Sequence, residues 1–221
     1  MNEIDNMKKK GTTTVGIVCN GGVVLATEKR ATKGHMIAHK DTRKLFQIGD
    51  NMALTISGLV GDGQAISRFL SSEVELYRLK RNRDMTVKAA STLLSNMLLG
   101  RRMMPYFVGL LLGGVDTNGG HVYSLDMAGG AISDDYVSEG SGSPFVYGVL
   151  EDHYKEGMSI EEGVDLAVLC LLVSSSRDSA SGDGIRVAKI TKEEGFEEIE
   201  DEDIDKRISN VRKEKQNLPP L

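Results

Sequence analysis

Hydrophobic periodicity along this chain changes in blocks, and the order of the blocks restricts the architecture more than any other feature. Thr13 to Cys19 alternates at period two, placing Val15, Ile17 and Cys19 on one face. Asn20-Gly21-Gly22 supplies residues that accept positive φ, and Val23 to Ala26 returns as the partner strand. Lys44 to Ile48 and Met52 to Ser57 are two more short strands, the second preceded by a turn at Asn51 and closed by Gly58. The period then becomes helical. Ile66, Phe69, Leu70, Val74 and Tyr77 share one stripe, with Arg68, Glu73, Glu75 and Arg78 off it. A second helix, capped by Asp84 or Thr86, runs through Leu99 with Val87, Ala90, Leu94 and Met97 inward, and Gly100 ends it. Three strands follow, Phe107 to Gly113, Val122 to Asp126 and Ala131 to Val137, separated by glycine-rich turns.

Ser143-Pro144 then starts a helix with proline at its first position, and Ser159-Ile160-Glu161-Glu162 is a capping box opening another. From Val164 to Val173 that last helix is apolar on nearly every side, which predicts a helix sandwiched between neighbours. Ile185 to Ile190 is a final core strand. The acidic stretch from Glu193 to Asp205 is expected to be a solvated surface segment, and Leu218 to Leu221 to fray. Strands grouped away from helices, with helices able to cover both sheet faces, give a layered α+β sandwich in one domain.

Composition narrows the function classes. A chain of 221 residues can bury a proper core. Its 40% hydrophobic and 27% charged residues are ordinary for a soluble domain. A net charge of -5 lacks the basic footprint that nucleic acid demands, so no nucleic-acid partner is expected. Cys19 and Cys170 sit in apolar runs as small hydrophobes and form no framework, which fits a reducing compartment. The polar leader, Met1 to Gly11, has three lysines but no apolar core, so export is not expected and the cytoplasm is. Val164 to Val173 is about half of a membrane span and is interrupted by Asp165, so no membrane partner is expected.

Candidate chemistry centres on Gly11-Thr12-Thr13-Thr14-Val15-Gly16. In one reading these threonines only open a β-strand, where β-branched residues fit well. In the other, Gly11-Thr12 is a processing point. Cleavage there leaves a hydroxyl and a free α-amine on Thr12, a nucleophile and a base on one residue. That amine starts at a pKa near 7.7–8.0, close to where a general base works best. Glu28 ends the second strand and Lys44 begins the third, so strand turns can bring both to Thr12, where an ammonium would disfavour protonation of the amine. Gly58 ends its strand with an N–H free to face an oxyanion. Ser141, Asp178 and Ser181 lie in small-residue loops.

Other chemistries are poorly supported. His35 and His39 stand four apart without a glutamate between them or a helical context, and His121 and His153 are isolated, so no metal is expected. Gly58-Leu59-Val60-Gly61-Asp62-Gly63 lacks the Lys-Ser/Thr of a phosphate loop. Gly140-Ser141-Gly142-Ser143 fails as a serine nucleophile elbow at its last glycine. No cofactor is implied.

From Gly11 to about Ile190 the chain resembles the archaeal 20S proteasome β-subunits, within the N-terminal-nucleophile hydrolases. The resemblance is carried by Gly-Thr-Thr-Thr-Val-Gly (11–16), Ala-Thr-Glu (26–28), Lys-Leu-Phe-Gln-Ile (44–48), Ser-Gly-Leu-Val-Gly-Asp (57–62), Gly-Ser-Gly-Ser-Pro-Phe-Val-Tyr-Gly (140–148) and Arg-Asp-Ser-Ala-Ser-Gly (177–182). It implies a four-layer αββα sandwich and a leader, residues 1–11, removed autocatalytically at Gly11-Thr12, leaving a single catalytic domain over 12–221.

It further implies that Thr12 is the nucleophile, with its own amine as base directly or through a water. Lys44 matches the active-site lysine, Glu28 its acidic partner, Asp178 the site aspartate and Gly58 the oxyanion donor. Ser141 and Ser181 match the serines that hold the terminal amine. Only Thr12 has the family spacing to both Glu28 and Lys44. Ala31, Ile56 and Val60 are expected to line the substrate pocket and to favour cleavage after large apolar residues. The implied partners are two homo-heptameric β-rings between two α-subunit rings, an unfolding ATPase and unfolded polypeptide substrates. An unprocessed structural ring subunit, a small-molecule amidase of the same superfamily and a two-ring bacterial-type protease are the competing readings. The Asn118-Gly119-Gly120 turn looks slightly extended for the family, and the C-terminal segment is not diagnostic.

Overall fold

Period-two alternation gives every central strand two working faces, and both are apolar here. In the computed structural model, which describes residues 11–214, these faces stack two antiparallel sheets against each other and each sheet against helices. The strands are β1 (Thr13–Cys19), β2 (Gly22–Glu28), β3 (Ala31–Lys33), β4 (Met36–His39), β5 (Leu45–Gln47) and β6 (Met52–Gly58). Next come helices α1 (Val60–Arg81) and α2 (Val87–Gly100), then β7 (Val108–Asp116), β8 (Gly119–Leu125), β9 (Ala131–Asp134) and β10 (Tyr136–Gly140). Helices α3 (Ser143–His153) and α4 (Ile160–Arg177) precede β11 (Ile185–Thr191), β12 (Gly195–Glu198) and α5 (Asp201–Glu214). The first sheet has the order β10-β1-β2-β11-β12 and the second β5-β6-β7-β8-β9, with β3 and β4 forming a separate ribbon.

Three cores fill the gaps between the four layers. Val15, Ile17, Val24 and Val187 pack against α4 through Val168 and Leu171. Leu54, Ile56, Leu110 and Leu112 pack against Ile66 and Leu70 of α1 and Leu94 and Leu98 of α2. Val23, Leu25, Ala53, Leu111, Val122 and Ala188 meet between the sheets. The alternate residues of β2 thus serve two cores, Val24 and Ala26 facing helices and Val23 and Leu25 facing the other sheet. Leu25 fits because a Cβ on Gly16 or on Gly113 would lie about 3 Å from its methyl groups. The αββα sandwich expected from the sequence is the observed architecture, and α4 is sandwiched between the first sheet and helices α3 and α5.

Several local expectations are corrected. Ala131 to Val137 is two strands: the chain leaves the second sheet after Asp134 and joins the first at Tyr136. Asp135 makes the turn, its N–H donating to Asp134 Oδ1 at 2.8 Å and its carbonyl accepting from Val18 N at 2.7 Å. The acidic stretch from Glu193 to Asp205 is no solvated tail, because it contains β12 and the start of α5. Phe196 packs toward the inter-sheet core and Ile204 and Ile208 enter the helix-side core. On α1 the sheet-facing line runs through Ile66, Leu70 and Val74 at i, i+4 and i+8, leaving Phe69 exposed. On α2 the cap is Thr86, which accepts from Ala89 N at 3.2 Å, and the core position is Leu98, with Met97 half-buried beside it. Ser143 is the first residue of α3, whose cap is Gly142. Gly61-Asp62-Gly63 lies inside α1 and forms no loop. The β3–β4 ribbon has no counterpart in the periodicity reading. The expected leader up to position 10 and the fraying Leu218 to Leu221 lie outside the described residues.

Candidate active site

Four neighbouring strands of the first sheet, β10, β1, β2 and β11, each bring one end to the same edge, and the candidate residues collect there. β1 runs antiparallel to β2 and β10, so its first residues lie beside the last residues of both. Thr13 is in register with Gly140 and Thr14 with Thr27. Glu28 is in register with Ile185, where β11 begins. Asp178 caps the C-terminus of α4 just before the loop into β11. Thr12 precedes β1 and is buried between these strand ends.

Two polar clusters flank it. In the first, the Thr12 N–H donates to Ser141 Oγ at 3.2 Å, and the Ser141 hydroxyl donates to Asp178 Oδ2 at 2.5 Å. The Ser181 hydroxyl donates to the same carboxylate oxygen at 2.7 Å, while Ala180 N donates to Asp178 Oδ1 at 3.1 Å. Ser141 therefore meets the Thr12 nitrogen, whereas Ser181 turns to Asp178 and to Thr13 Oγ1, 2.7 Å away. The Thr12 hydroxyl donates to the Gly11 carbonyl at 2.7 Å.

In the second cluster, Glu28 is fully buried and its carboxylate gathers four donors. Oε1 accepts from Lys44 Nζ and from Thr13 N at 3.3 Å; Oε2 accepts from Arg30 N at 2.7 Å and Gly182 N at 3.2 Å. Lys44 also donates to the Arg30 carbonyl, and its own carbonyl holds Ile56 N at 2.9 Å, which ties it to β6. Burial pushes the Glu28 carboxyl up and the Lys44 ammonium down, and each ion opposes the shift of the other. Buried, mutually paired titratable groups of this kind cluster at functional sites.

Thr12 and Lys44 line one cleft of about 320 Å³ with Gly58 and the three expected pocket residues Ala31, Ile56 and Val60. Phe46 and Ala38 extend the apolar wall, while Lys33, His39 and Arg43 add charge or polarity to the lining. Gly58 has φ +108, and a Cβ there would fall 2.2 Å from the Phe107 carbonyl oxygen, so only glycine suits the position. All the expected site residues converge. The reading from sequence missed three groups: Thr13, taken only as strand, and the backbone groups of Arg30 and Gly182. Backbone donors and acceptors leave no signature in residue type, but the hydroxyl of Thr13 was visible in the Thr12-Thr13-Thr14 run. Among the described residues no cluster of three or more His, Cys, Asp or Glu is placed to hold a metal ion. No helix there is long and apolar enough to cross a membrane.

Two stacked antiparallel sheets between helical layers, with the candidate residues at the head of a central strand, define the N-terminal-nucleophile hydrolase architecture. Residues 8–190 match the family model described as proteasome subunit. A protein of Archaeoglobus profundus named proteasome subunit beta is 51% identical over 214 residues, covering 96% of this chain and 99% of its own length. Proteins of the same name from Methanothermobacter thermautotrophicus and Thermoplasma acidophilum are 48% and 51% identical, covering 94% and 91% of this chain and 99% and 95% of their own lengths. The chain belongs to the proteasome subunit family.

Proposed function

We propose that Thr12 is the nucleophile of a threonine-type endopeptidase, released by autocatalytic cleavage of the Gly11–Thr12 bond. As a β-type member of its family, the chain is a proteolytic subunit of the 20S proteasome core particle. The observation that carries the threonine reading is the two-sided setting of Thr12. Its hydroxyl lies on the Gly11 carbonyl, while its nitrogen rests on the Ser141–Asp178 pair.

In the unprocessed chain, Thr12 Oγ attacks the Gly11 carbonyl carbon, forming an ester as the Gly11–Thr12 amide bond breaks. Water then hydrolyses the ester and releases the leader. The freed amine, held by Ser141, accepts the hydroxyl proton directly or through a water when Oγ attacks a substrate carbonyl. Gly58 N–H faces the developing oxyanion, a kind of contact whose loss elsewhere costs about 10²–10³ in rate. The amine returns its proton to the leaving peptide nitrogen, and water cleaves the acyl ester. Lys44, kept in place by Glu28, disfavours protonation of the Thr12 amine and stabilises the alkoxide.

The same proposal includes unfolded polypeptide substrates, cleavage after large apolar residues through Ala31, Ile56 and Val60, and work in the cytoplasm. It also places two homo-heptameric rings of this chain between two α-subunit rings, served by an unfolding ATPase. Closed rings require head-to-tail contacts between copies.

Protein purified from its own cells should begin at Thr12 by intact mass and N-terminal sequencing. A variant Thr12→Ala should assemble and lose turnover of peptides carrying a large apolar residue before the scissile bond. Assembled particles that retain residues 1–11 would favour the structural-subunit reading, and full activity of the alanine variant would reject Thr12 as nucleophile. Preference for acidic or basic residues at the cleaved position would overturn the pocket assignment.

A further inference from the structure

The residue after the nucleophile touches both polar clusters, although it contributes nothing to the lining of the cleft. Thr13 is fully buried. Its N–H donates to Glu28 Oε1, the oxygen that also holds Lys44, and its hydroxyl lies 2.7 Å from Ser181 Oγ. Ser181 in turn donates to Asp178.

A proton count fixes the direction of this chain. Each hydroxyl has one proton. Ser181 commits its own to the carboxylate, so Thr13 must donate to Ser181. Ser141 likewise donates to Asp178 and accepts from Thr12 N. Two donor relays, one starting at Thr12 N and one at Thr13 Oγ1, thus end on a single carboxylate oxygen. The fit is close: a Cβ on Gly142 would lie 2.0 Å from Thr13 Oγ1, so the glycine beside Ser141 leaves the space that this hydroxyl fills.

We propose that Thr13 is a positioning residue for the threonine chemistry. Its hydroxyl orients Ser181 and Asp178, so that Asp178 in turn holds Ser141 on the Thr12 amine. Its backbone N–H keeps Glu28, and with it Lys44, in register with the same strand. The proposal rests on Thr12 being the nucleophile. Hydrogen bonds in series strengthen one another in a buried site, so removing the first donor weakens the link to the carboxylate without emptying it.

The test compares Thr13→Val and Thr13→Ser in assembled particles expressed with Thr12 already at the N-terminus, so that processing does not enter, with Thr12→Ala alongside. Thr13→Val keeps shape and burial but lacks the hydroxyl. It should lower kcat by roughly three- to tenfold, the scale of one neutral hydrogen bond, with KM unchanged because Thr13 is outside the cleft. Thr13→Ser, which keeps the hydroxyl, should restore kcat. Where the valine variant does not assemble, Thr13→Ala gives the same reading. Wild-type kcat in the hydroxyl-free variant, or a serine variant as slow as it, overturns the proposal while a dead Thr12→Ala leaves the nucleophile assignment standing. An active Thr12→Ala variant overturns both.

Discussion

Glu28 illustrates how one residue joins fold and chemistry. A fully buried carboxylate is tolerable because Lys44, Thr13 N, Arg30 N and Gly182 N satisfy it, and removing one partner of such a pair typically costs about 3–5 kcal/mol. Cys19 is the contrasting case, a buried group with no chemical task. Burial, assisted by Glu162, pushes its thiol from 9.0 up to about 12. A group whose folded pKa is raised contributes stability that is fully present below its unfolded pKa and is lost as pH rises through the folded value. The window here is therefore pH 9 to 12. Relative to Cys19→Ala, the wild-type chain should lose about 1.4 kcal/mol per pH unit above 9, read from urea midpoints of the two proteins between pH 8 and 10.5. A constant gap between them would mean that Cys19 ionises freely in the fold.

Helix α4 supplies both a wall of the core and the platform for Asp178, so its two ends have different duties. At the start, Ser159 Oγ accepts from Glu162 N at 3.3 Å and Glu162 Oε2 accepts from Ser159 N at 2.8 Å, the capping box expected from the sequence. At the finish, Asp178 N donates to the Ser174 carbonyl at 2.7 Å and the chain turns into the site. Replacing Ser159 by alanine should cost about 1 kcal/mol of stability, measured by chemical denaturation, with peptide turnover of assembled particles unchanged because the cap and the site lie at opposite ends of the helix. Helix α5 shows how charge pins an element that hydrophobicity barely announces. Arg207 reaches Glu161 and Asp165 on α4 as well as Asp203 on its own helix. The acidic first turn, Asp201 to Asp203, also suits the positive end of the helix dipole.

At the scale of the molecule, the two sheets are held together by side chains that interlock without any covalent link, since both cysteines are free and buried. Leu25 occupies the middle of that interface, fully buried between the glycine positions 16 and 113. Leu25→Ala should destabilise the chain by about 2–5 kcal/mol, because two hydrogen-bonded sheets cannot collapse into the space left behind. A smaller loss in denaturation experiments would indicate that the sheets slide together. The same interface connects stability with chemistry, because β2 carries Leu25 in its interior and Glu28 at its end.

Apart from the β3–β4 ribbon, the β9–β10 break, β12 and α5, the sequence alone determined the order of strands and helices, the shared face of Val15, Ile17 and Cys19 on β1, the capping box of α4 and a layered α+β sandwich. Those properties follow from local spacing, since side-chain alternation and capping act over a few residues. The candidate residues Thr12, Glu28, Lys44, Gly58, Ser141, Asp178 and Ser181 were legible as members of short motifs, and their expected roles came from the family resemblance that those motifs carry. Only the tertiary structure decided which partner each buried face meets. Asp135 passes the chain from one sheet to the other, an exchange that periodicity cannot report because β9 and β10 continue one alternating stretch. The acidic stretch after Glu193 looked solvated because its few apolar residues, Phe196, Ile204 and Ile208, gain their value only from cores built by distant segments. Thr13 and Ser181, 168 positions apart, meet because β1, β10 and the α4–β11 loop end at one sheet edge. Local spacing specifies the elements; long-range closure of the sheets brings their polar ends to Thr12.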